Sequence, residues 1–254
     1  MGKCKTSMVA LALMLMWECS SAAQAPEREV TFETEDGITI HADVHEVRKD
    51  APLILLFHQG GASARGEYAP IIPWLLENGF NVMAIDQRLG SDMFGGVNRT
   101  KAVVGDRGWG FCDAYPDVEA ALRYARERFT ARPFLWGSSY SATLAIRLAA
   151  AHPEEVAGVL AFSPAGGQPM KGCDPEMHVE ELRVPLLVLR PAMEMERPTT
   201  SSQAEMFRKH GVEVFVAKNG VHGSSMLVAD RVEGEVDETR ARVLSFLRRP
   251  RSNE

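Results

Sequence analysis

The 254-residue chain lacks several things that would have settled its class at once. Its apolar run near the start, Met8 to Trp17, is about half the ~20 residues that a bilayer-spanning helix needs. It has no basic excess: 28 Lys and Arg stand against 34 Asp and Glu, a net charge of −6, so no surface for nucleic acid is indicated. Its four cysteines include no CxxC pair of the metal or redox kind. No internal repeat or low-complexity tract interrupts it, and nothing marks a linker or a second core. The length suits one large domain with ample apolar content.

The first segment, "MGKCKTSMVALALMLMWECSSAAQA", has Lys3 and Lys5, then the apolar run, then small residues. That is the layout of a secretory signal peptide, with cleavage after Ala23 or Ala25 and Pro26 favouring the earlier site. The expected divisions are therefore a signal over residues 1–23, a catalytic domain over 26–249 and a short basic tail, 250–254, that frays. The product is expected to be exported, periplasmic or secreted, with no stable membrane span. Losing Lys3, Lys5 and Glu18 removes a net +1, so −6 becomes −7. Cys4 and Cys19 leave with the signal, and an even pair, Cys112 and Cys173, remains. In an oxidising compartment such a pair invites a disulfide, here one that ties together two loops near the expected site.

Along the mature chain, "EVTFETEDGITIHADVHE" alternates on both sides of Asp36-Gly37 and reads as a hairpin. "PLILLFH" is a continuous apolar run, as in a strand buried on both faces. A helix-like "YAPIIPWLLENGF" ends at Asn78-Gly79, and the strand "FNVMAID" follows. Residues 87–115, rich in Gly and charge, read as one long functional loop. Further strands ("PFLWG", "EVAGVLAFS", "VPLLVLR", "VEVFVAK") alternate with helices, the last from about Asp237. Alternation at these intervals predicts an α/β domain: a mostly parallel sheet, helices on both faces, and the hairpin along one edge.

"FLWGSSYSA" holds three serines in a strand–turn–helix setting, where a nucleophile elbow sits. The strained turn of an elbow needs small residues two before and two after the nucleophile. Ser138 would have Trp136 and Tyr140 there; Ser141 would have Ser139 and Thr143. Ser139, between Gly137 and Ser141, is the candidate.

A serine hydroxyl needs a base in contact and a third group to hold that base. In the chain order Ser…acid…His, the base lies after the last strand, where "KNGVHGSSML" offers His222 in a Gly-flanked loop. The acid belongs after "VPLLVLR", where "PAMEMERP" offers Glu194 and Glu196; Glu194 stands nearer the expected place. An oxyanion needs two backbone N–H groups. One is assigned to Tyr140, directly after the nucleophile. The other falls in "FHQGGAS", with Gly60 preferred to Gln59 or Gly61. Arg65, Glu67, Asp92, Asn98 and Arg99 lie where they would either touch a polar substrate or simply face solvent.

Taken together, "DGITIHADV", "FHQGG", "GSSYS" and "GVHGSSML" resemble, in order and spacing, the α/β-hydrolase superfamily and its small dienelactone-hydrolase-like and serine-esterase-like members. The resemblance runs from about Val30 to Leu247. It departs at Ser141, where family members usually carry glycine, and at Glu194, where many carry aspartate. Dienelactone hydrolases proper use a cysteine where Ser139 stands, so lactone specificity does not carry over. The resemblance implies an α/β-hydrolase fold without a large cap domain and hydrolysis of a small-molecule ester through an acyl-enzyme. It implies no metal or organic cofactor. The alternatives are an exported serine peptidase and a hydrolase-fold binding protein without turnover. The physiological acyl group and the oligomeric state are left open.

Overall fold

The apolar runs without alternation form the centre of the sheet. The computed structural model describes residues 28–249. The segment read as an export signal lies outside them, as does the tail from residue 250. Strands β3 (Leu53–Phe57), β4 (Asn81–Asp86), β5 (Phe134–Ser138), β6 (Gly158–Phe162) and β7 (Leu186–Pro191) are buried along their whole length. β1 (Arg28–Glu33) alternates between exposed and half-buried residues, as befits an edge strand with one wet face. With β2 (Thr39–His45) and β8 (Glu213–Ala217) these form one eight-stranded sheet, order β1-β2-β4-β3-β5-β6-β7-β8. β1 and β2 pair antiparallel, β2 pairs antiparallel with β4, and all other pairs are parallel.

Side chains alternate across a strand, so each central strand feeds two cores. Leu53, Leu55 and Phe57 join Leu144 and Val118 on one face; Ile54 and Leu56 join Tyr68, Leu75 and Phe246 on the other. The first face is covered by α4 (Tyr115–Arg128), α5 (Tyr140–Ala151) and α7 (Pro198–Lys209). The second is covered by α1 (Ala64–Tyr68), α2 (Ile72–Glu77) and α8 (Asp237–Leu247). Among the described residues no large cap domain is inserted, and no helix is long and apolar enough to cross a membrane.

Residues 87–115 are not the single loop expected. They contain a helix, α3 (Arg99–Val104), whose N-cap Asn98 accepts the Lys101 N–H, with short 3₁₀ turns at Met93–Gly95 and Phe111–Ala114. The many glycines and charges masked a helix of only six residues. The bridge between Cys112 and Cys173 joins this segment, which follows β4, to the segment that follows β6. Both emerge at the C-terminal ends of parallel strands, the side on which open α/β sheets build their sites.

Candidate active site

Ser139 stands at the junction of β5 and α5 with φ 62° and ψ −121°. A non-glycine residue there costs roughly 1–3 kcal/mol and persists only where its surroundings over-determine it. They do. The Ser139 N–H donates to Phe162 O at 2.8 Å, and its carbonyl accepts from the Ala142 and Ala165 N–H groups, each at 3.1 Å. A Cβ on Gly137 would collide with the backbone of Ser141 and Ala142, so nothing larger fits two residues before the turn.

The other two serines are buried and occupied. Ser141 Oγ accepts the Ser138 N–H at 2.9 Å and lies 2.6 Å from Phe57 O, tying the elbow to β3. Serine therefore supplies here a pair of bonds that the usual glycine lacks. Ser138 Oγ accepts the Ser224 N–H at 3.0 Å. Ser139 alone is left partly exposed at the turn.

Glu194 lies not in a loop but in the one-turn helix α6 (Ala192–Met195), directly after β7. Its Oε1 is 2.5 Å from His222 Nδ1, and its Oε2 accepts from Arg190 Nη1 at 2.9 Å. The Glu194 side chain is 7% exposed and that of His222 is 49% exposed. Burial by itself would raise the Glu194 pKa, but hydrogen bonds and charge from His222 and Arg190 outweigh it and hold the carboxyl below its ordinary value. An ionised Glu194 accepts the Nδ1 proton and leaves Nε2 of the imidazole as the free base. Glu196 is exposed at the end of α6. The histidine loop is pressed against the elbow: Gly223 has φ 68°, and a Cβ on it would collide with Ser138 Oγ. The Gly223 N–H donates to Ser163 Oγ at 3.1 Å, and Ser163 itself has φ 49°. Ser163, a second strained residue at a strand end, carried no sequence signal, because its role depends on contact with a segment sixty residues away.

In the loop after β3, the Gln59 N–H donates to Glu67 Oε2 at 2.8 Å, which takes it out of the set of oxyanion donors. Gly60 and Gly61 remain. A Cβ on Gly60 would lie 3.0 Å from Phe111 Cε1 and 3.7 Å from Tyr140 Cδ1, so this glycine packs beside the residue at the start of α5. Phe111 stacks on Tyr140 with ring centroids 4.8 Å apart, and its neighbour Cys112 anchors it through the disulfide. His58 is buried and committed. Its Nδ1 lies 2.8 Å from Gln59 O and its Nε2 accepts the Gln87 N–H, which fixes a neutral tautomer.

Of the polar residues left open between substrate contact and solvent, all but Asp92 are engaged within the protein. Arg65 and Arg99 both grip Asp43, and Arg99 also holds Asp86. Asn98 donates to Gln87 O, Glu67 is wholly buried, and Asp92 is exposed, its carboxylate accepting from its neighbour Ser91. The partner that Arg65 and Arg99 share is far away in sequence, which is why the segment looked merely polar. A cleft of about 760 Å³ opens beside Glu194 and His222, lined by Gly166, Gln168, Glu176, Arg197, Thr199 and Gln203 among others. Among the described residues no group of three or more His, Cys, Asp or Glu is arranged to hold a metal ion.

The strand order, the antiparallel β2 and the strained serine between β5 and α5 define an α/β hydrolase. A family model described as serine aminopeptidase, S33, matches residues 49–210, and the chain belongs to that family of serine hydrolases. The match includes Ser139 and Glu194 and ends before His222. Among solved structures, an esterase from Pyrococcus furiosus is similar at 19% identity and a TM-score of 0.65, covering 89% of this chain and 91% of that one. The α/β hydrolase GrgF from Penicillium is similar at 14% identity and a TM-score of 0.69, covering 89% and 99%. Est1E from Butyrivibrio proteoclasticus, solved with ferulic acid bound, is similar at 12% identity and a TM-score of 0.64, covering 86% and 97%. At these identities the likeness is one of fold. No curated protein matches the chain in sequence.

Proposed function

We propose that this chain is an exported hydrolase of small carboxylic esters, working through Ser139, His222 and Glu194. The observation that carries the reading is the strained, partly exposed Ser139 beside a histidine loop whose imidazole is held by a buried carboxylate. Ser139 Oγ attacks the acyl carbon while His222 Nε2 takes its proton. The developing oxyanion lies between the Gly60 and Tyr140 N–H groups. His222 then returns the proton to the departing alcohol, and a water activated by the same nitrogen releases the acid and restores Ser139. Esterases among the structural neighbours support ester over amide. The Cys112–Cys173 bridge is in keeping with an oxidising compartment.

A second reading, peptidase, has one observation in its favour besides the family's name. Glu194 is held by Arg190 and His222, but Glu176 also lines the cleft, where a carboxylate would attract a free α-amino group. One experiment tests both. A fluorophosphonate adduct, mapped by mass spectrometry, is expected on Ser139. A panel of p-nitrophenyl esters and aminoacyl p-nitroanilides should then show turnover of short esters. Label on Ser138 or Ser141, or none on folded protein, removes the triad; turnover of the anilides alone replaces the esterase by the peptidase.

A further inference from the structure

Arg190, near the end of β7, is 5% exposed, and a guanidinium is costly to bury. Its donors are divided among three acceptors on different segments. Nη1 donates to Glu194 Oε2 at 2.9 Å, Nη2 donates to Pro164 O at 2.5 Å, and Nη2 also donates to Gln203 Oε1 in α7. The buried Nε has no hydrogen-bond partner among the described residues, which adds to the cost. An apolar side chain would fill the same space more cheaply.

Pro164 is the informative partner, because its two neighbours each hold another part of the site. Ser163, before it, accepts the N–H of Gly223, the residue after His222, at 3.1 Å. Ala165, after it, donates its N–H to Ser139 O at 3.1 Å. The Ala165 carbonyl in turn accepts from Thr143 Oγ1, in the first turn of α5, at 2.6 Å. Three consecutive residues therefore meet the histidine loop, the guanidinium that holds the acid, and the nucleophile's own backbone. Ser163 keeps a φ of 49° among them, a conformation that persists only where the surroundings fix it.

We infer that Arg190 is a positioning residue: its guanidinium fastens the triad acid to the turn 163–165, to which the nucleophile and the histidine loop are also bonded. It acts through Glu194 and Pro164 rather than on the reacting atoms. Arginine suits the task, because its N–H groups point in fixed directions and serve a carboxylate and a carbonyl together. A lysine ammonium on its flexible stem has the charge without the fork. The inference rests on the reading of Ser139, His222 and Glu194 as a triad.

Arg190→Met keeps much of the bulk and removes every donor. Small misplacements of reacting groups cost up to about 100-fold in rate, so kcat for a short p-nitrophenyl ester is expected to fall about 10- to 100-fold with KM within about twofold. The rate of fluorophosphonate labelling is expected to fall in parallel, because it uses the same nucleophile and base. Arg190→Lys, with the charge but not the fork, is expected to stay about 3- to 30-fold slow. The decisive comparison is made in Glu194→Gln, where the acid no longer acts. There the further change Arg190→Met is expected to cost no more than about twofold, since both variants break one connection. A residue that only stabilises the fold would lower the melting temperature and leave both rates unchanged. A folded Arg190→Met protein that labels and turns over at the wild-type rate overturns the inference alone. So does an equal loss with and without Glu194→Gln, which would mean that Arg190 acts apart from the acid. Should Arg190→Met fail to fold, Arg190→Lys decides in its place, and wild-type rates in that variant overturn the inference. A wild-type protein that does not label on Ser139 overturns the triad, and this inference with it.

Discussion

Two of the buried arginine–carboxylate pairs, Arg190–Glu194 and Arg88–Asp117, are built alike, yet only the first belongs to the site. Arg190 holds Glu194 with one bond, and the carboxylate's other oxygen is turned to His222. Arg88 holds Asp117 with both of its oxygens engaged: Oδ2 takes the Arg88 backbone N–H at 2.7 Å and Oδ1 takes Nε at 2.8 Å. The same guanidinium also serves Asp36. The pKa values move in opposite directions. Glu194 is lowered. Asp117 is pushed up to about 6 by burial, against the pull of Arg88 and with help from the charge of Asp36. Arg88, although buried, is held above its ordinary range by its two carboxylates. One cation shared by two anions explains the imbalance: the more exposed Asp36 is lowered to about 2 by its hydrogen bonds to Arg88, and the cost of burial falls on Asp117. A closed pair stabilises a loop. A pair that leaves one oxygen for a histidine can orient a base.

The largest expected difference between the pairs is in rate. Glu194→Gln should lower kcat by ~10³–10⁴-fold, the scale of losing a triad acid through the wrong histidine tautomer. Asp117→Asn, which leaves Arg88 its bonds to Asp36, should change kcat no more than a few-fold and lower the melting temperature instead. Steady-state kinetics and thermal unfolding of both variants measure the contrast. Glu196→Gln, on the exposed end of α6, is the control and should be nearly silent in both. A large rate loss in Asp117→Asn would mean that the closed pair also shapes the site.

The disulfide comes next in size. It holds the segment from Arg88 to Asp117 near one end while the Arg88 pair holds it across its base. Closing a loop with a sequence separation of 61 stabilises by about 4 kcal/mol in the chain-entropy account. Reductant should therefore lower the melting temperature markedly. It should also lower kcat, because Phe111, beside Cys112, packs on both Gly60 and Tyr140. Unfolding and ester turnover with and without reductant check both. An unchanged melting temperature after verified reduction would leave the Arg88 pair as the main anchor.

How far the sequence revealed this arrangement depended on whether a residue's role was local. The buried strands were legible because a strand covered on both faces must be apolar throughout. The tight turn at Ser139 was legible from the size of its neighbours, and the proximity of Glu194 to His222 from chain order. Glu67, Arg88, Arg99 and Ser163 were not, because each acts through partners brought near by the sheet, and a polar residue in a Gly-rich stretch looks the same buried or solvated. α1 and α3, of five and six residues, are too short for periodicity to show.

The smallest effect sharpens the comparison most, since it turns on sign. A carboxyl with a raised folded-state pKa binds its proton more tightly in the folded protein than in the unfolded chain. Asp117, up from 3.8 to about 6, therefore contributes stability that is full below pH 4 and is lost as pH rises through 6. Two pKa units correspond to about 3 kcal/mol as an upper figure. Glu194, lowered from 4.5, contributes the other way: its stabilisation is present above that value and is lost as pH falls through the folded pKa. Between pH 4 and pH 7 the stability of wild type relative to Asp117→Asn should fall, whereas that relative to Glu194→Gln should rise or hold as pH increases from the acid end. Denaturant unfolding of the three proteins at half-unit steps of pH gives both differences directly. Parallel curves for the two variants would show that the two pairs are electrostatically alike, and that the oxygen Glu194 turns to His222 is a matter of geometry alone.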